Sequence, residues 1–251
     1  MKRNSIMGVL VAAMIVAAGC ALGQARSNPS QSTLTEPRLT EQEIIHLEDG
    51  RITAIGGDIR FLRAPPASLE LHALTSDTDL FMFAERRNHR LSRDMIVDLS
   101  QPGDYFPDSV PKDHQTWGAL GSGVIAAGTA IDSYYVHFDN LTYDETFEWS
   151  RYRGCVGQYR VTGRVSFAKP VLGIVMRAGL GRKAHLRQAD RELGLPGVDY
   201  CQHNLRHFPG INIADGCHSD RFVLSEDRRT LWLTNHTDIH HDNYRIIVAA
   251  K

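Results

Sequence analysis

The clearest structural signal in this chain is FVLSEDRRTLWL, residues 222–233, in which two apolar triplets flank a polar segment at 225–229. A polar turn of this length between two apolar runs predicts a β-hairpin. Alternation places Leu231 and Leu233 on one face of the second strand. We expect the ring of Trp232, in the same strand, to be buried.

Similar short segments, separated by Gly, Pro, Asp and Ser, occur along most of the chain. They predict about eleven strands, at residues 51–55, 69–74, 80–84, 95–99, 123–127, 131–138, 159–167, 171–176, 221–224, 230–234 and 244–249. Helical periodicity is weak, and one short helix is predicted at residues 182–193. The sequence therefore predicts an all-β protein, a single antiparallel β-sandwich or jelly-roll-like domain with one short helix.

The first 25 residues have the three parts of an export signal. Lys2 and Arg3 precede an apolar run at residues 6–18 that is too short to span a bilayer comfortably, and small residues follow it. Residues 26–45 are mostly polar and predict a solvated linker. This division places the sandwich domain at residues 46–251.

Two cleavage sites compete at the end of this signal. Residues 17–20 resemble a lipobox, which predicts lipidation of Cys20 and an outer-membrane or cell-surface lipoprotein. Residues 23–25 suit ordinary signal peptidase, and cleavage after Ala25 would give a released or periplasmic protein. Both alternatives predict export, with membrane contact only through an N-terminal lipid anchor.

Charge composition argues against nucleic acid as a partner. The chain of 251 residues has 28 Lys and Arg against 29 Asp and Glu, and the two signs are interspersed. No strong field of one sign is therefore expected. We expect the partner to be a surface or envelope component that the sequence does not identify, with a glycan as one candidate.

Cysteine usage is consistent with an oxidising compartment. Cys201 and Cys217 enclose a short loop, and a disulfide between them would stabilise the fold by roughly 3 kcal/mol on the chain-entropy estimate. Three cysteines remain if Cys20 is lipidated or removed, so one thiol is left over. Pairing of Cys155 with either of the other two stays open.

Histidines are concentrated in the last fifth of the chain, where they suggest a zinc site. Together with the two cysteines they supply ligand types that zinc prefers, and cysteine oxidation would leave three histidines to bind it. The candidate metal ligands are His203, His207 and His218. Loop histidines without a metal are the competing interpretation.

The candidate ligand-binding residues are aromatic or lie in the loops expected at one end of the sandwich. They are Trp117, Trp149, His236, Asp238, His240 and Asp242. Asp242 begins a segment similar to the closing strand of jelly-roll lectin-like domains, where an Asp can help to hold a structural calcium ion. The competing interpretation is that Asp242 and Asn243 bond backbone amides while Ile246 and Val248 face the core.

The segments at residues 128–139, 163–167, 171–175 and 224–231 together resemble a group of uncharacterised exported bacterial β-sandwich proteins. Many members of that group carry a C-terminal PEP-CTERM sorting anchor. The resemblance implies a secreted sandwich and supplies no catalytic signature. This chain ends at Lys251 without a Pro-Glu-Pro motif, so we expect any anchoring to come from its N-terminus.

Sequence motifs favour a non-catalytic binding or interaction module over an enzyme. The chain contains no Walker loop and no His-Glu-x-x-His motif, and Gly121-Ser122-Gly123 lacks the flanking spacing of a nucleophile elbow. The alternative is a hydrolase with a metal or His/Asp site in the C-terminal loops. Neither reading identifies a catalytic residue.

Overall fold

The computed structural model describes residues 50–70, 72–105, 121–140, 159–176, 185–200, 220–237 and 241–251. These residues form twelve strands and one helix. In chain order the elements are β1 Ile52–Gly57, β2 Ile59–Leu62, β3 Leu80–Arg90, β4 Met95–Val97, β5 Gly103–Tyr105, β6 Gly123–Ile125, β7 Ala130–Phe138, β8 Tyr159–Phe167, β9 Val171–Val175, α1 His185–Leu193, β10 Arg221–Leu224, β11 Thr230–Thr237 and β12 Asp242–Ala249.

The strands form two five-stranded sheets and a small two-stranded sheet. The first sheet has the order β1-β8-β11-β10-β5, the second has the order β2-β3-β7-β12-β9, and β4 pairs with β6. All these pairs are antiparallel except β2 with β3. The prediction of an all-β sandwich-like protein with one short helix is confirmed.

Apolar side chains from both five-stranded sheets form one core. Phe222 of the first sheet meets Tyr244 of the second edge to face, with ring centroids 5.1 Å apart. Phe167 meets Tyr134 across the sandwich with the rings tilted by 42° and their centroids 5.2 Å apart. Buried area of this kind is the main stabilising contribution to the sandwich.

The predicted hairpin at residues 222–233 is present as β10 and β11, with Leu224 opposite Leu231. Ser225 holds its turn, because the Ser225 Oγ atom accepts the Thr230 N–H at 2.9 Å. Leu231 and Leu233 are buried on one face, as alternation predicts. The prediction for Trp232 is wrong: its ring lies on the opposite, outer face of the sheet and is 36% exposed.

A second error concerns residues 69–74, where the sequence predicts a strand: of the described residues of this segment, 72–74 form a turn. The Ala73 N–H donates to the Glu70 carbonyl at 2.9 Å, and His72 has φ of 65°. The Asp139 carboxylate holds this turn through the His72 N–H, at 2.6 Å. Apolar alternation alone does not distinguish such a packed turn from a strand. Strands β2 and β5, which are short, were not predicted.

The second sheet is covered on its outer face as well as its inner face. Leu186, Ala189 and Leu193 of α1 pack on Ile131 and Ile247 of that outer face. As a result β7 and β12 are buried along almost their whole length. Strands that are buried on both faces are continuous apolar runs in the sequence. Polar residues within them need hydrogen-bonding or charged partners.

Candidate functional site

A pocket of about 600 Å³ opens between α1 and the segment that contains β4. Both walls are fixed by packing: α1 by its apolar stripe, and β4 by its pairing with β6 and by burial of Met95 and Val97. The pocket is lined by Arg93, Asp94, Met95, Ile96, His185, Arg187, Gln188, Ala189, Arg191 and Glu192.

Three arginines make this pocket basic. Arg187 and Arg191 are four residues apart on α1, which places them on the same face of the helix, and Arg93 comes from the turn before β4. Within the described part of the chain, neither Arg187 nor Arg191 has an acidic partner. Their guanidinium groups are therefore available to a ligand.

The two acidic side chains in the lining already accept hydrogen bonds from the protein. Asp94 Oδ1 accepts the Ala127 N–H at 2.8 Å. Glu192 accepts the Ser92 N–H at 2.7 Å and the Ser92 hydroxyl at 2.5 Å, and it contacts Arg93 at 3.4 Å. The positive charge of the two helix arginines is thus not balanced by a contacting carboxylate within the pocket.

His185 lies at the first position of α1 and is held by Asp98. The His185 Nδ1 atom lies 2.8 Å from Asp98 Oδ1, while Asp98 Oδ2 accepts the Met176 N–H at 2.9 Å. Asp98 is 1% exposed and His185 is 9% exposed. A carboxylate in this position orients the imidazole ring and determines which ring nitrogen carries the proton.

Glu192 anchors α1 to the strand end at residues 89–92. Desolvation would raise the pKa of Glu192, but hydrogen bonds from Ser92 and His89 outweigh it and lower the pKa to about 2. A carboxyl with a lowered pKa stabilises the fold when it is ionised in both states, above about pH 4.5, and this contribution is lost as the pH falls toward 2.

We expect the Glu192→Gln variant to be less stable than the natural protein near pH 7. The difference should narrow as the pH falls from about 4.5, where the carboxyl of the unfolded chain becomes protonated, toward 2, where that of the folded chain does. Urea unfolding at a series of pH values measures this. The exposed Glu226→Gln variant is the matched control and should show no such trend. A difference that is constant with pH would contradict the role assigned to the Glu192 charge.

A second polar centre is closed to solvent beneath α1. Arg245 of β12 and Glu85 of β3, both 0% exposed, form a two-point ion pair with Nε···Oε2 and Nη2···Oε1 distances of 2.8 Å. Burial alone would raise the pKa of Glu85, but the charge and hydrogen bonds of Arg245 lower it. The guanidinium group also lies 4.7 Å from the ring centroid of Tyr135. This centre is structural, because no ligand can reach it.

His137 forms a third buried group at the end of β7. Its Nε2 atom lies 3.0 Å from the Leu74 carbonyl oxygen, and its Nδ1 atom lies 2.8 Å from the side chain of Asn243. Burial lowers the pKa of His137, although Asn243 and Asp139 oppose this shift. The neutral ring donates to the Leu74 carbonyl and ties the turn at residues 72–74 to the second sheet.

Two of the predicted site residues lie in the described part of the chain. Both lie in strands and not in the loop that the sequence predicts. His236 lies within β11 opposite Arg160, and its N–H donates to Asp220 Oδ1 at 2.8 Å. Asp242 is the first residue of β12, opposite Phe138, and is 1% exposed. The expectation that both lie in one loop is wrong, because β11 and β12 extend into it.

The other predicted site residues lie outside the described residues. They are Trp117, Trp149, Asp238 and His240 for ligand binding, His203, His207 and His218 for metal binding, Cys201 and Cys217 for the disulfide, and Cys20 for lipidation. Among the described side chains, no group of three or more His, Cys, Asp or Glu residues is arranged to hold a metal ion. No helix in the described ranges could cross a membrane.

Sequence reasoning missed the arginine-lined pocket, although α1 itself was predicted. The apolar stripe of residues 186, 189 and 193 indicated which face of α1 is buried, and the arginines at 187 and 191 lie off that stripe. What sequence could not show is that the segment at residues 93–96, about ninety positions earlier, forms the opposite wall.

Comparison of the chain with protein-family models, with curated proteins and with solved structures found no match. The fold and the pocket define the class of protein: an all-β sandwich with an arginine-lined pocket on the outer side of its second sheet.

Proposed function

We propose that this chain is an exported, non-catalytic binding module that holds an anionic surface or envelope component in the pocket between α1 and β4. The observation that carries the proposal is the pair Arg187 and Arg191, two guanidinium groups on one helix face that have no acidic partner within the described residues. Carboxylate, sulfate and phosphate groups match the donor geometry of guanidinium.

The shape of the pocket supports a small ligand or one unit of a polymer. Its volume of about 600 Å³ is within the range of small-molecule sites. The walls are packed on the core, so the arginines are held on a rigid helix and little ordering is needed when a ligand binds.

The cellular part of the proposal comes from the N-terminal sequence. Its basic start, apolar run and small-residue zone are typical of export, and the competing cleavage sites lead either to a lipid anchor at Cys20 or to release after Ala25. In both cases the pocket would meet envelope or extracellular polymers, many of which are acidic.

The hydrolase alternative has less support. Of the C-terminal residues on which it depended, His236 and Asp242 lie in strands, and Asp242 is buried. A group that is buried within a strand pairing is poorly placed to reach a substrate. A binding module agrees better with a pocket whose best-placed groups are arginines.

We expect the double variant Arg187→Gln/Arg191→Gln to bind an acidic oligosaccharide, trigalacturonate, at least about tenfold more weakly than the natural protein, since it loses charge-assisted hydrogen bonds. Isothermal titration calorimetry of the full chain measures the affinity. Arg160→Gln, an exposed arginine on β8 of the other sheet, is the control with the same change of side chain and should bind normally.

Two results would contradict the proposal. One is the absence of binding to trigalacturonate, to sulfate and to inorganic phosphate. The other is an equal affinity of the double variant and the Arg160→Gln control for trigalacturonate. That result would show that the arginines of this pocket contribute no more to binding than an arginine elsewhere on the surface.

A further inference from the structure

We infer that the pocket recognises a hydroxylated anion of the acidic-sugar class, with a ligand hydroxyl donating to His185 Nε2 while Arg187 and Arg191 hold the oxyanion. This inference rests on the proposed function and adds a second recognition element to it. It concerns which anions bind, and it assigns His185 and Asp98 a role in specificity.

The argument begins with Asp98. One of its oxygens must accept the Met176 N–H, and the other lies 2.8 Å from His185 Nδ1. An ionised carboxylate can only accept hydrogen bonds, so Nδ1 carries the ring proton. In the neutral imidazole the other nitrogen, Nε2, is then an acceptor.

His185 is one of the residues that line the pocket, and its Nε2 atom has no hydrogen-bond partner among the described residues. The side chain is 9% exposed, so ligand entry would take Nε2 away from water. An acceptor that loses water without gaining a donor weakens binding. The ligand must therefore bring a donor to this position.

A hydroxyl group supplies that donor, whereas a carboxylate, sulfate or phosphate dianion supplies only acceptors. The pocket also contains the exposed carboxylate of Asp94, a second acceptor suited to hydroxyl groups. Guanidinium donors next to acceptors of this kind complement a sugar ring that carries one acidic group and several hydroxyls.

Calorimetry at pH 8, where an ordinary imidazole is neutral, can test this with two monoanions of similar ring size. D-Glucuronate carries hydroxyls and cyclohexanecarboxylate carries none. We expect the natural protein to bind glucuronate about fivefold to tenfold more tightly, the ratio that one hydrogen bond supplies.

The decisive variant is Asp98→Asn. The amide oxygen is needed by the Met176 N–H, so the amide nitrogen would face His185 Nδ1 and donate to it, which moves the ring proton to Nε2. Both ligands can then accept from Nε2–H, a hydroxyl as well as a carboxylate, so we expect the preference for glucuronate to narrow while the affinity for cyclohexanecarboxylate stays within about twofold or rises. A variant with a merely structural defect would lose affinity for both ligands together.

His185→Phe provides a second test that does not depend on Asp98, because it removes the acceptor and keeps a ring in place. It should abolish the preference, because no ring nitrogen is left to bond a hydroxyl. Equal binding of the two anions by the natural protein, or an unchanged ratio in both variants, would overturn this inference alone. Binding of neither anion would also overturn this inference, and the proposed function would fall with it only if trigalacturonate, sulfate and inorganic phosphate did not bind either.

Discussion

The Glu85→Gln variant is expected to lose about 3–5 kcal/mol of unfolding free energy, because the buried Arg245 guanidinium loses its two-point carboxylate partner and is left with the partly exposed Asp190 carboxylate. Glu85 and Arg245 are both 0% exposed and share two hydrogen bonds. Asp190 also contacts Arg245, at 2.6 Å, but its side chain is 23% exposed and reaches a different guanidinium nitrogen, so it cannot take the place of Glu85.

Neighbouring groups make this loss larger. The Ser133 hydroxyl donates to Glu85 Oε2 at 3.0 Å, and Tyr200 also bonds this carboxylate. A neutral amide accepts fewer hydrogen bonds than a carboxylate and presents an N–H group to some of these donors. Several buried polar atoms therefore lose a good partner in one substitution.

Urea unfolding followed by circular dichroism measures the effect, with Asp79→Asn as the matched control. Asp79 pairs with Arg60 at 3.6 Å, but the Arg60 side chain is 65% exposed, so this control should lose less than about 1 kcal/mol. The double variant Glu85→Leu/Arg245→Met removes both charges and should recover most of the loss. A loss below about 1 kcal/mol in Glu85→Gln would contradict the role we assign to the pair.

The second large effect is expected for Gly57→Ala, at roughly 2–4 kcal/mol of lost stability. Gly57 has φ of 73°, and a Cβ atom built there would lie 2.4 Å from the Thr162 carbonyl oxygen. That oxygen cannot move easily, because it accepts the Asp58 N–H at 2.7 Å and its strand pairs with β1. The alanine variant must therefore distort the pairing of β1 with β8.

Gly128→Ala separates the two causes of this effect. Gly128 also has a positive φ, 83°, but no atom lies within 4 Å of the position of an added Cβ. It should lose only the conformational cost of about 1–2 kcal/mol. Equal losses of thermal stability in the two variants would show that the close approach to Thr162 has no effect.

Local patterns were enough to predict much of the sandwich. The alternation around Leu231 and Leu233 and the polar turn at residues 225–229 predicted the β10–β11 hairpin, because both signals act between near neighbours. The same pattern misled at residues 69–74, where Leu69 is buried but residues 72–74 form a turn. Burial of Trp232, expected because large aromatic rings are usually buried, was wrong because its ring lies on the outer face. Alternation identifies two faces of a strand, but it does not say which of them the fold covers.

The sequence indicated the buried polar groups less clearly than it indicated the strands. Arg245 is the one charged residue in the run YRIIV at 244–248, and a charge within a strand buried on both faces must have a partner. The sequence could have raised that question. It could not name Glu85, which lies 160 positions away, because strand order and register determine the pairing.

The amino-acid sequence alone was sufficient for the all-β class, for the hairpin and for the amphipathic helix, since periodicity and turn chemistry depend on residues close together in the chain. Tertiary structure decided that α1 covers the outer face of the second sheet and faces residues 93–96 across a pocket. The reason is physical: a pocket and a buried ion pair need side chains from distant segments to converge, and only the packing of the sheets brings them together.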